Sequence, residues 1–254
     1  MRITFLGTGT SHGVPMIGCG CATCTSTDPR DTRLRPSIFV ETAGARVLID
    51  AGPDLRAQAL RHRITRVDAI LFTHGHADHI LGMDDVRRFN ALMDGAMPCY
   101  GDAATLTDIR RMFSYVFDPA TPKGGGLPRL DLREIDGPVP IADLVAAPVP
   151  LDHGRRPILG FRFDRFAYLT DCNRIPDGSW PLLQGLDVVV LDALRLRPHP
   201  THFSLDEAVA TAARIAAPRT FFTHMCHDLL HAATDARLPP GMALAYDGLV
   251  LELP

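Results

Sequence analysis

The stretch FTHGHADHILG, Phe72 to Gly82, places His74, His76, Asp78 and His79 within six residues, directly after the apolar run VDAILF. The chain carries only 11 histidines in 254 positions, so composition does not produce this density. VDAILFTH reads as a buried strand that ends on the first histidine. A strand end followed by a short loop and a helix start lets residues at i, i+2, i+4 and i+5 converge. Neutral imidazole is the commonest protein metal ligand, and a carboxylate adds charge for a divalent ion. One pair of these side chains can face one metal and the second pair another. A hydrophilic loop with incidental histidines explains neither the spacing nor the strand ahead of it.

Outward from this stretch, strands repeatedly end on His or Asp. RITFLG, the pair SIFVET and ARVLID, LVAAPVPLDH, LGFRFD, RFAYLTD, LDVVVLDAL and RTFFTH read as strands. Asp50, His74, His153, Asp171, Asp192 and His224 then lie at strand ends, where one sheet edge can gather residues distant in sequence. Helices are expected over Pro53–His62, within GMDDVRRFNALM, over Ala104–Tyr115 and over Ser204–Ala216, the last with Ser204 as N-cap. Met242–Tyr246 and Leu249–Leu253 flank Asp247-Gly248 and read as a hairpin. Pro119–Pro128 contains TPKGGGLP and is expected to be a flexible loop, a candidate lid. The pattern is that of an α/β chain, and no linker divides residues 1–254, so one domain is expected.

The 46% hydrophobic and 22% charged content suits a globular protein, and no apolar run approaches the roughly 20 residues needed to span a bilayer. MRITFLGTG reads as a first strand and a glycine turn rather than a signal peptide, so a cytoplasmic location is expected. A formal charge of -3 weighs against a broad nucleic-acid-binding face, while leaving room for a local basic pocket. In such a compartment, the cluster Cys19-x-Cys21-x-x-Cys24 points to metal rather than to disulfides. Three thiolates need a fourth ligand to close a tetrahedral zinc site, and both Cys226 and His227 stand shortly after His224. Cys99, Cys172 and Trp180 read as packing residues.

Thr73–His79 resembles the H-x-H-x-D-H motif of the metallo-β-lactamase superfamily. Ile49-Asp50-Ala51-Gly52 is similar to the superfamily's Asp-x-Gly turn. His153 in LDHG, Asp171 in YLTD and His224 in FFTH stand where its later ligands belong. GTGTSHGVP ahead of the cysteine cluster resembles the subgroup of phosphoribosyl cyclic phosphate diesterases. The resemblance implies an αββα four-layer sandwich, with two mixed β-sheets flanked by helices. It implies that His74, His76 and His153 hold one metal, that Asp78, His79 and His224 hold a second, and that Asp171 bridges them. The two ions would be Zn or Mn, with Asp50 behind the ligands orienting them. It also selects His227 as the fourth ligand of a structural zinc with Cys19, Cys21 and Cys24, stapling the N-terminal loop to the loop after His224.

Two metals about 3.5–4 Å apart give hydroxide at neutral pH and clamp phosphate oxygens. A phosphodiester also needs a proton for its leaving alkoxide. His202, in PTHFSLDEA, is the candidate to supply it, and the resemblance implies that it touches the substrate phosphate. His199 is a rival. Asp78 and His202 are the residues given catalytic roles. Arg155 and Arg156, right after His153, are candidates to bind an anionic substrate, as are Arg33 and Arg35.

The reading is a metal-dependent hydrolase of small cyclic phosphodiesters, of the ribosyl 1,2-cyclic phosphate or 2′,3′-cyclic nucleotide type. The alternatives are a thioester or lactone hydrolase on the same scaffold, an oxygenase-type relative in cofactor biosynthesis, RNA 3′-end processing, and a non-enzymatic metal-stapled scaffold. A small-molecule partner is expected, with no nucleic acid polymer and no membrane. Arg87–Leu127, rich in Phe, Tyr and Met, reads as a core helix pair, a lid or a dimer surface, and a homodimer is the expectation.

Overall fold

The segments RVLI (Arg46–Ile49) and VVVLD (Val188–Asp192) carry apolar side chains on both strand faces, so each needs cover on both sides. The computed structural model, which describes residues 1–254, provides that cover. The first sheet holds β1 (Arg2–Gly7), β2 (Ser37–Glu41), β3 (Arg46–Ile49), β4 (Ala69–Leu71), β5 (Met97–Gly101) and β6 (Leu130–Glu134). The second holds β7 (Val139–Ile141), β8 (Leu144–His153), β9 (Arg156–Phe163), β10 (Phe166–Leu169), β11 (Val188–Asp192), β12 (Arg219–Thr223) and β13 (Met242–Leu244). The last strand, β14 (Val250–Glu252), returns to the first sheet beside β1. Both sheets mix parallel and antiparallel neighbours.

Alternation along each strand divides the apolar residues into three layers. Ile3, Phe5, Ile38, Val40 and Val47 meet Phe161, Phe166, Tyr168 and Val190 between the sheets. On the outer face of the first sheet, Phe39, Leu48 and Ile70 pack against α1 (Leu55–Arg61), α3 (Val86–Met93) and α4 (Ala103–Met112). α2 (Ala77–Ile80) and α5 (Ser114–Phe117) are single turns beside them. On the outer face of the second sheet, Val189 and Leu191 pack against Leu205, Ala208 and Ala212 of α6 (Leu205–Ile215). α7 (His231–Asp235) follows. The result is the αββα sandwich. No helix is long and apolar enough to cross a membrane.

The hairpin expected around Asp247-Gly248 does not form. β13 pairs with β12 in the second sheet, whereas β14 pairs with β1 in the first. The turn is a crossover instead, held by the buried Asp247 carboxylate, which accepts from Thr8 N, Thr8 Oγ1 and Leu34 N at 2.7–2.9 Å. The helix expected over Ala104–Tyr115 breaks at Phe113. β6 and β7 carry charged or short sequences that give no strand signal; pairing with β5 and β8 makes them strands. The loop 119–128 rests against α3, where Arg87 Nη1 donates to Gly126 O at 3.4 Å.

β3 and β4 run parallel, as do β10, β11 and β12. Their C-terminal ends therefore share one edge of the sandwich. Asp50, Thr73, Asp171, Asp192 and His224 all lie at or just past those ends.

Candidate metal centre

Backbone conformation aims the side chains at that edge. Asp50, Asp171 and His224 all have left-handed φ, of 63°, 60° and 60°. Each such turn costs free energy for a residue with a Cβ, and strain of this kind gathers where a function requires it. The Asp-x-Gly turn has a steric cause as well. A Cβ at Gly52 would lie 2.0 Å from Asp78 O, so only glycine lets this turn meet the histidine loop. At Gly75 a Cβ would meet Asp108 Oδ2 at 2.6 Å.

The motif histidines and their later partners converge. The donor atoms of His74, His76 and His153 all lie within 4.8 Å of one another, and so do those of Asp78, His79, Asp171 and His224. Asp171 sits between the two sets. Its Oδ2 is 3.3 Å from His79 Nε2, 3.0 Å from His224 Nε2 and 3.9 Å from His74 Nε2. On the far side of the His79, His74 and His153 rings, a fixed partner engages Nδ1. Asp50 Oδ2 meets His79 Nδ1 at 2.7 Å, Thr73 Oγ1 meets His74 Nδ1 at 3.0 Å, and the Asp171 carbonyl accepts from His153 Nδ1 at 2.6 Å. Partners at Nδ1 leave Nε2 as the inward atom.

Several inward atoms make no well-formed hydrogen bond. His74 Nε2, His79 Nε2, His224 Nε2 and Asp78 Oδ2 are all buried and unpartnered. A buried polar atom without a partner costs about 1–3 kcal/mol, and four of them around one point fit divalent cations as the missing partner. The electrostatics agree. Burial keeps His74 neutral and pushes His153 down to about 4, which makes the first set neutral nitrogen donors. Burial also opposes charging His224, yet Asp171, Asp78 and Asp192 outweigh it and lift its pKa to about 10. The carboxylates of the second set thus favour positive charge at this point.

His202 joins this group. It is buried, its ring stacks on His224 with centroids 4.7 Å apart, and it meets His153 edge-on at 4.7 Å. Asp192 anchors it: Oδ1 meets His202 Nδ1 at 3.1 Å, and Oδ2 accepts from Phe203 N at 2.9 Å. Ser204 and Glu207 form a capping box that starts α6 immediately afterwards. Asp192 Oδ1 also lies 3.2 Å from Asp171 N and 3.6 Å from His224 Nδ1. The sequence shows Asp192 as an acid ending a buried apolar run, but nothing local connects it to His202. His199 lies behind, with its ring centroid 5.2 Å from that of His202.

The arginine candidates separate. Arg33 is buried and donates to Cys226 O at 2.9 Å and Leu229 O at 2.6 Å while pairing with Asp31, so it braces a loop and cannot meet a substrate. Arg35 pairs with Asp54 at 3.1 Å. Arg155 is exposed on the turn after β8. Arg156 pairs with Asp108 at 3.0 Å and lies near enough to help burial lower the pKa of His76.

A separate donor set forms at the surface. Sγ of Cys19, Cys21 and Cys24 lie 3.2, 3.5 and 3.6 Å from His227 Nδ1. A tetrahedral zinc with ordinary Zn–S and Zn–N lengths sets S···N edges of about 3.5 Å. The donors therefore already have the spacing of a closed site, and none of the cysteines is in a disulfide. Cys226, the other fourth-ligand candidate, instead accepts from Asp228 N through its sulfur.

Comparison with known proteins places this architecture. Residues 45–225 match the model of the beta-lactamase superfamily domain. The solved structure of a diphosphatase from the PhnP family is 46% identical, covers 100% of this chain and 98% of its own, and superposes with a TM-score of 0.93. Zinc-bound PqqB from Methylobacterium extorquens shares the fold at 20% identity, full coverage of both chains and a TM-score of 0.82. The octanoyltransferase of Porphyromonas gingivalis is 38% identical over 252 residues, 98% of this chain, and the chain spans about half (51%) of that protein's length. Strand order, the family match and the near-complete overlay agree: the chain belongs to the metallo-β-lactamase superfamily, as a PhnP-like member.

Proposed function

We propose that the protein is a metal-dependent phosphodiesterase acting on small cyclic phosphodiesters, of the ribosyl 1,2-cyclic phosphate or 2′,3′-cyclic nucleotide type. The observation that carries this reading is His202, buried against His153 and His224 and tied to Asp192 at 3.1 Å. Hydrolysis of a diester needs a proton carrier beside the phosphate. His74, His76 and His153 would hold one divalent ion, Zn or Mn, and Asp78, His79 and His224 a second, with Asp171 shared. Such ions neutralise phosphate charge and acidify water when bound.

The chain's own residues do the rest. Asp192 fixes His202 Nδ1 as the anchored atom, which leaves Nε2 to exchange a proton with the leaving alkoxide. Asp50, Thr73 and the Asp171 carbonyl hold the donor rings in orientation. Arg156, restrained by Asp108, offers a guanidinium to the anionic substrate. A cleft of about 310 Å³ adjoins His202, lined by Arg195, Arg197 and His199. That lining suits a sugar phosphate and offers little to an acyl chain, which weighs against the thioester alternative. The relative described as a PhnP-family diphosphatase supports cleavage at phosphorus. Cys19, Cys21, Cys24 and His227 would hold a structural zinc.

The test is turnover on a panel of bis(p-nitrophenyl) phosphate, 2′,3′-cyclic AMP, a ribosyl 1,2-cyclic phosphate, a diphosphate, a thioester and a lactone, with metal content read on the same sample. Diester cleavage that collapses in His202→Ala, with near three metals per chain, is the expected result. Thioester or lactone cleavage with inert diesters would overturn it.

A further inference from the structure

A second cavity, of about 320 Å³, opens at the strand ends opposite the metal centre. Its sheet wall is formed by Arg2 of β1, Glu41 of β2 and Arg46 of β3, and its rim by the turn His62–Arg66 after α1. From Arg46 to Asp50 is four strand residues, about 13 Å, so no substrate at the metal centre reaches this cavity.

Four arginines and a histidine line it against one carboxylate, Glu41. Three of the four arginines stand beside a carboxylate, two of them loosely, and Arg63 stands beside none. Arg2–Glu252 at 3.5 Å and Arg46–Glu41 at 3.6 Å are open pairs without a hydrogen bond. Arg66 pairs with Asp68 at 2.7 Å, but Arg63 pairs with no carboxylate. His62 Nε2 is buried and unpartnered. Burial chiefly, and then the charges of Arg61 and Arg2, hold the His62 pKa below its ordinary value. Arg63 has a left-handed φ of 54°, and Ile64 N closes the helix end on Ala59 O at 2.9 Å. That closure folds His62–Arg66 into the cavity rim, with a cation where glycine is the easiest residue.

Exposed ion pairs contribute little, whereas guanidinium groups around one phosphate form charge-assisted hydrogen bonds of real strength. We propose that this cavity is a second anion site, which takes a small phosphate-bearing molecule carrying two or more negative charges. Its concave shape sets the size: a diphosphate group enters, while a nucleic-acid strand needs an extended basic track. The site stands independently of the phosphodiesterase reading.

Inorganic pyrophosphate titrated into the isotope-labelled, metal-loaded protein, followed by amide NMR, tests this residue by residue. Metal content read before and after keeps stripping of the metal centre apart from binding here. The expected result is saturable shifts at Arg46 and His62–Arg66. Arg63→Gly and Arg46→Gln should each weaken that response by about tenfold or more, while any shifts around Thr73–His79 persist. Arg63→Gly puts the residue best suited to a left-handed position there, so the fold is retained. Shifts confined to the metal centre, wild-type affinity in both variants, or an equal response to sodium chloride at matched ionic strength would each overturn the proposal.

Discussion

Asp50→Asn separates the orientation of a ligand from the presence of the ligand. Asp50 is fully buried. Its Oδ1 accepts from Thr73 N at 2.9 Å, and its Oδ2 accepts from Thr73 Oγ1 at 2.9 Å and meets His79 Nδ1 at 2.7 Å. Asparagine has the same shape and tolerates the left-handed φ of 63°, so the backbone need not move. Its carbonyl can replace Oδ1 towards Thr73 N, but its NH2 then faces His79 Nδ1. That nitrogen must become an acceptor, which moves the ring proton to Nε2, the atom aimed at Asp78 and Asp171. Thr73 Oγ1, which donates to Oδ2, must likewise turn round. The charge-assisted bond to His79 alone is worth about 1.5–3 kcal/mol, and the donor nitrogen is capped by a proton. Partners behind metal-bound histidines affect affinity by about 10–100-fold, the same range in different units. The assay is stepwise chelator competition, with retained metal and bis(p-nitrophenyl) phosphate turnover read on one sample. Loss of one metal per chain at a chelator concentration roughly 10–100-fold below that needed for the parent is expected. Parent-like retention of both metals would refute the reasoning.

Asp192→Asn should lower kcat roughly 100-fold with little change in KM, because it releases His202 without removing it; an unchanged kcat and pH profile would count against the pair. Cys21→Ser should lower Tm by roughly 5–15 °C, taking the staple between Cys19 and His227 as a cross-link worth about 2–4 kcal/mol, with kcat at low temperature nearly retained. Dead catalysis at unchanged Tm would contradict a structural role. Asp247 makes a pH prediction. Burial raises its pKa from 3.8 to about 6, against the hydrogen bonds from Leu34 and Thr8. A carboxyl raised on folding favours the folded state most at low pH, and that contribution falls away as pH rises from about 3.8 through about 6. It amounts to about 3 kcal/mol at most. Asp247→Asn should flatten the stability profile between pH 4 and 6 in urea titrations, and parallel profiles for the two proteins would disprove it.

Much of the site was legible because metal chemistry constrains residue type and spacing locally. His74, His76, Asp78 and His79 lie on one turn after one strand, so their convergence needs no knowledge of the rest of the chain. Cys19, Cys21 and Cys24 are local in the same way. Asp50, His153, Asp171 and His224 were readable one step further out, as polar residues ending apolar runs. The Asp247-Gly248 signal does not yield a hairpin because a turn signal specifies a reversal of direction, not which sheet receives the next strand. Charge alone likewise could not sort the arginines, since Arg33 and Arg156 differ only in what surrounds them.

The sequence by itself determined the cluster His74, His76, Asp78 and His79, the triad Cys19, Cys21 and Cys24, and the strand-rich α/β class, because each rests on residues within a few positions of one another or on apolar periodicity; the places of His153, Asp171, His224 and His227 in the donor sets came from the family resemblance. Tertiary structure alone decided that Asp192 holds His202, that Arg33 braces the loop carrying His227, and that Arg2, Arg46 and Arg63 share a cavity. Those relations join residues 10 to about 200 positions apart. They depend on which strand ends share an edge, and strand order is set by burial summed over both sheets, which no local window contains.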